Sequence, residues 1–80
     1  MIYNILFFTH TGAIKFEREM KKRGISCELM PVPRELSSNC SISARIDYQK
    51  DALELVDKNI EKIFKLEKGE HILIYSEDNI

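Results

Sequence analysis

Glycine occurs only three times in 80 residues, and none of the glycine-rich phosphate-binding fingerprints fits the chain. Cysteine is equally scarce. Cys27 and Cys40 form no C-x-x-C pair and have no ligand cluster beside them, which excludes a zinc site of the usual spacing. Net charge is -1 with no basic cluster, so the lysines and arginines needed to neutralise a phosphate backbone are not assembled. The longest apolar run, Ile5-Leu6-Phe7-Phe8, falls far short of the roughly 20 residues that a membrane helix requires. No charged segment followed by a long apolar one opens the chain, so no signal peptide is expected and the cytoplasm is the expected location. There both cysteines are expected to be reduced thiols. The carboxylates are scattered, and the two histidines lie far from the serines in sequence, so neither a carboxylate pair nor a Ser-His-Asp arrangement can be argued. No cofactor and no metal are implied.

What remains is an ordinary globular composition, 44% hydrophobic and 31% charged, which places the chain outside the disordered class. Its length makes residues 1–80 a single domain near the lower limit for a self-sufficient core. A homodimer is one way for so small a core to gain buried surface.

The periodicity predicts six elements. Ile2 to Phe8 reads as a buried strand of branched and aromatic residues. Thr9 or Thr11 serves as N-cap to a helix running to about Arg23, with Ala13, Phe16 and Met20 on its apolar stripe and Gly24 just past its end. A second strand spans Ile25 to Val32, a third Cys40 to Asp47. A second helix is predicted from about Gln49 to Lys65, because Ala52/Leu53, Val56, Ile60 and Ile63/Phe64 recur at helical spacing. Lys68-Gly69-Glu70 is a turn and His71 to Ser76 the last strand.

The order β-α-β-β-α-β predicts an α+β, ferredoxin-like fold, an antiparallel sheet with two helices on one face. Right-handed connection then sets the third strand between the first two, antiparallel to both. On this arrangement Cys40 lies at the sheet rim beside Phe8–Thr9 and the helix start around Thr11–Ala13. His71 and Lys68, opening the last strand, are expected at the same rim.

One stretch breaks the periodicity: Pro31-Val32-Pro33-Arg34-Glu35-Leu36-Ser37-Ser38-Asn39-Cys40-Ser41. Prolines lock its backbone, a Ser-Ser-Asn run supplies turn chemistry, and a thiol closes it. Thiolates are nucleophiles whose pKa falls near helix N-termini and cations, so Cys40 is the candidate reactive group and Arg34 its candidate cation. The alternative is that Cys40 is a small apolar residue filling the sheet edge. Arg34 equally pairs with Glu35 in solvent on the plain reading. Thr11 and Gly12 at the helix start, Ser37 and Ser38 in the loop, and Arg45 on the polar face of the third strand are candidate anion ligands. For Arg45, a cross-strand pair with Glu28 is the competing expectation. Cys27 is core filler.

The same stretch resembles the signature P-V-P-R-x-x-S-S-x-C-G of a family of small bacterial domains described as Se/S carrier protein-like. Pro31, Val32, Pro33, Arg34, Ser37, Ser38 and Cys40 match it, and Arg45 matches a later arginine. Phe8, Thr11 and Ala13 resemble the family's F-x-x-T-x-A start. Ser41 stands where the pattern has glycine. The C-P-x-P motif of TusA sulfurtransferases is absent. The resemblance implies a carrier of sulfur or selenium that holds its cargo on Cys40 and exchanges it with donor and acceptor proteins. Set against it is a non-enzymatic module that binds an anion or a partner protein, with Cys40 merely packed.

Overall fold

A computed structural model describes residues 1–36 and 40–77. Among these it contains strands β1 (Ile2–Phe7), β2 (Cys27–Pro31), β3 (Ile42–Asp47), β4 (Ile60–Glu67) and β5 (Glu70–Ser76), helix α1 (His10–Lys22) and a short 3-10 turn, Ala52–Leu55. The strands form one sheet in the order β2-β3-β1-β4-β5, every neighbouring pair antiparallel. The architecture is therefore α+β, and β3 lies between β1 and β2 as expected.

α1 is built as its sequence predicts. Thr9 is the N-cap, its hydroxyl accepting from the Gly12 N–H at 3.0 Å. Gly12, Ala13, Phe16 and Met20 are buried. At the other end Gly24 takes φ +73, Ile25 N–H donates to Met20 O and Gly24 N–H to Lys21 O. This pair of bonds is a Schellman termination, which satisfies carbonyls of the last turn and needs the left-handed residue that glycine supplies.

The second helix is not formed. Its first part is the 3-10 turn capped by Asp51, whose carboxylate accepts from Leu53 N–H at 3.0 Å. Asp57 then folds a turn by accepting from Asn59 N–H at 2.8 Å. From Ile60 the chain is strand β4, hydrogen-bonded to β1. The misleading feature is a β-bulge. Phe7 pairs with Ile60 but Leu6 pairs with Lys62, so Glu61 is an extra residue in β4. In a regular strand Ile60 and Ile63, three apart, would face opposite sides. The bulge resets the alternation and brings both into the core beside Phe7 and Ile5. A spacing of three therefore mimics helical periodicity. A two-residue turn at Lys68 (φ 52) and Gly69 (φ 80) follows, the doubly positive geometry of a tight hairpin.

One face of the sheet carries the main core: Tyr3, Ile5, Phe7, Ala44, Ile46, Ile60 and Ile63 under Ala13, Phe16, Met20, Ala52 and Leu55. Phe7 and Phe16 rings meet at 5.2 Å between centroids. On the opposite face Asn4, Leu6 and Ser43 are fully buried although α1 lies on the other side. Residues 33–36 lie against this second face. Leu36 N–H donates to Pro33 O, closing a turn, and the Glu35 carboxylate comes within 3.7 Å of His71 Nδ1. Leu36 and Glu35 line a cavity with Phe64 and His71.

If Ile63 faces the core, Ile63→Ala should lower unfolding free energy by about 2–5 kcal/mol. Leu73→Ala, on an exposed position of edge strand β5, should stay within about 0.5 kcal/mol. Denaturant titration of the two variants measures this, and equal effects would contradict the bulged register.

Candidate functional site

The rim predicted around Cys40 is formed by the end of β1, the start of α1 and the start of β3. Leu6 pairs with Ser43, which aligns the end of β1 with the second residue of β3. The hairpin between β2 and β3 is closed one step further by Val32 N–H donating to Ser41 O at 3.1 Å. From the helix side His10 Nε2 reaches Ser41 Oγ at 3.1 Å. Cys40 is thus held one residue from a side-chain contact with the first turn of α1.

Burial sets the chemistry available there. Cys40 is 5% exposed, so its sulfur is enclosed rather than displayed. Thr11 is exposed in the first turn of α1, whereas Gly12 is buried and its N–H is already bonded to Thr9. A Cβ at position 12 would stand 3.0 Å from Asn59 Cβ, so this glycine permits close approach of the turn before β4. Ser37 and Ser38 lie outside the described residues.

Ser41 replaces the glycine of the resembled pattern without needing glycine's backbone freedom. Among the described residues, Lys68 is the non-glycine residue with positive φ, and Ser41 is not in that class. Its hydroxyl instead supplies the contact to His10 that a glycine lacks.

The two arginines are separated from each other. Arg34 is exposed at the turn, while Glu35, its expected partner, turns toward His71. Arg45 is the fourth residue of β3 and lies five residues on from Cys40, which precedes that strand. Glu28 stands opposite it in register, but the two form no ion pair among the described residues. Arg45 also faces Asn4 of β1. Asn4 is fully buried, and its Nδ2 donates to His71 Nε2 at 2.8 Å. Accepting that bond leaves the imidazole proton on Nδ1, facing Glu35.

His71 and Lys68 are not at the Cys40 rim. β4 runs antiparallel to β1 and β5 antiparallel to β4, so β5 begins at the end of the sheet where β1 begins. The extra strand produced by the bulged segment carries them to the opposite rim. Asn4 escaped sequence reasoning because one asparagine inside an apolar strand carries no local signal.

Cys27 gives an internal contrast. It is half-buried on β2 and packs against the core. Burial, with the nearby Glu17 carboxylate adding to it, pushes its thiol up to about 11. In a Cys40→Ser variant, alkylation of Cys27 should therefore rise with pH to a midpoint near 11. Because the same thiol titrates near 9.0 when unconstrained, stability should fall as pH climbs from about 9 through about 11. A midpoint near 9 in the folded protein would contradict this environment.

Among the described residues no group of three or more His, Cys, Asp or Glu could hold a metal ion, and no helix is long and apolar enough to cross a membrane. No curated protein and no solved structure matches the chain. A family model described as "Putative Se/S carrier protein-like" matches residues 3–74, from the first buried residue of β1 to the middle of β5. The match takes in β2, β3 and β4 whole, most of β1 and β5, and the loop that ends on Cys40, and the chain belongs to this Se/S carrier protein-like family.

Proposed function

We propose that this protein carries sulfur or selenium on Cys40, accepting it from a donor protein and passing it to an acceptor in the cytoplasm. The observation that supports this most is the family match, which includes the cysteine-terminated loop. For sulfur, the Cys40 thiolate attacks the terminal sulfur of a donor persulfide, R–S–SH. The donor's S–S bond breaks, the donor leaves as a thiolate, and Cys40–S–SH is formed without any external oxidant. Transfer to the acceptor repeats the same exchange in the forward direction.

In this reading the first turn of α1, with Thr11 exposed, and Arg34 from the adjoining loop favour the anionic sulfur. Cys40 must become accessible during each exchange, because its resting exposure is 5%. That burial is also the observation favouring a second reading, an anion- or protein-binding module in which Cys40 only packs.

Incubation with a cysteine desulfurase and cysteine should add one sulfur atom to the protein by intact mass. The added sulfur should persist in Cys27→Ser and disappear in Cys40→Ser. No added mass, or a mass lost only with Cys27, would overturn the carrier reading and leave the packing one.

A further inference from the structure

α1 packs over β2, β3 and β1, which leaves the β4–β5 end of the same sheet face to the segment between β3 and β4. Where the sequence predicts a second helix, that segment holds a four-residue 3-10 turn, Ala52–Leu55. So short an element covers only part of the face. A cavity of about 420 Å³ remains between it and the sheet, within the size range of small-molecule sites.

The walls of the cavity are largely apolar: Met1, Tyr3 and Ile74 on the sheet side, Leu53 on the side of the turn. Of the five large hydrophobic residues exposed among the described residues, Met1 and Leu53 line this cavity. A third, Ile72, stands beside Lys65 at its edge, on the face shared with Tyr3. Exposed apolar side chains gathered around one hollow mark a binding surface, whereas single ones scattered over a protein do not.

The polar groups of the wall select the head group. Lys50 and Lys65 bring two cations and Asp51 one carboxylate. Asp51 Oδ1 is engaged by Leu53 N–H, and Lys65 Nζ lies 3.1 Å from Glu67 Oε2. Lys50 forms no ion pair among the described residues. Its carbonyl accepts from the Tyr3 hydroxyl at 3.3 Å, which ties the backbone of this lysine to β1. One uncommitted cation beside an apolar hollow matches a single negative charge on an apolar body. A second negative charge would be repelled by Asp51 and Glu67.

We propose that this cavity binds an amphipathic monoanion, a medium-chain aliphatic carboxylate. Lys50 Nζ donates to the carboxylate, and the chain lies against Leu53, Ile74 and Met1. The site stands where β1 begins, at the opposite end of the sheet from Cys40, and does not depend on the carrier reading.

The test is an NMR titration of the full chain with octanoate below its micelle-forming concentration, at fixed pH and ionic strength. Saturable shifts are expected at Lys50, Leu53 and Ile74. Acetate has the charge without the chain, and octylammonium the chain without the negative charge; each should bind about tenfold more weakly or worse. Lys50→Gln and Leu53→Asn alter exposed positions and should leave the fold intact. Each should weaken octanoate binding about fivefold or more. Absence of saturable shifts, octylammonium binding as tightly as octanoate, acetate binding as tightly (an adventitious ion only), or unchanged affinity in either folded variant would each overturn the assignment. Light scattering on the same samples adds one more outcome: a dimer that Leu53→Asn dissociates would give this face to a second copy and overturn it too. Should a variant not fold, the contrast among the three ligands on the unaltered protein still decides it.

Discussion

β1 is buried on both sides, and α1 can cover only one of them. Tyr3, Ile5 and Phe7 meet α1 and the 3-10 turn, while Asn4 and Leu6 face the other way with no accessible surface. A central strand in that position needs a second cover, since open apolar surface and unpaired polar atoms both favour unfolding. Residues 33–36 help to supply it, anchored where Glu35 approaches His71 and Leu36 approaches Phe64. The proline-rich loop is therefore part of the fold as well as the approach to Cys40. Displacing residues 33–36 would uncover this second face.

Two polar features follow from the same constraint. At one end of the sheet, His10 and Ser41 tie the start of β3 to the first turn of α1, next to the enclosed Cys40. Toward the other end, His71, Asn4 and Arg45 form a polar strip beneath the second cover. The first contains the thiol on which carrier chemistry would turn. The second contains no cysteine, and two of its buried polar atoms, Asn4 Oδ1 and Arg45 Nε, have no hydrogen-bond partner. Cys40 thus belongs to the rim, and Arg45 to the strip.

Much of this was legible in the chain itself. The stripe Ala13, Phe16 and Met20 and the stop at Gly24 use local rules and were readable as such, and of the two threonines offered as N-cap the structure selects Thr9. The alternation Ile42, Ala44, Ile46 identified β3, and the order of β1, β2 and β3 followed from handed connection. Gln49 to Lys65 was read as a helix because a β-bulge places Ile60 and Ile63 on one face at a spacing that also suits a helix. The Asp57-Lys58-Asn59 turn was the local cue against continuity, and it lay hidden among residues that also fit a charged helical face.

The sequence by itself determined the α+β class, the first helix with its apolar stripe and its stop at Gly24, and the loop that singles out Cys40. These depend on neighbours in the chain, whose propensities and periodicities act over a few residues. Only the tertiary structure decided that β4 replaces a helix, that His71 leaves the Cys40 rim, and that Asn4 and Arg45 are desolvated together. Each of those depends on hydrogen-bond register between strands distant in sequence, and a single inserted residue in β4 is enough to change which face a side chain meets. Burial of Cys40 belongs to the same class. A thiol's identity is written in the chain, but its exposure is set by what folds across it.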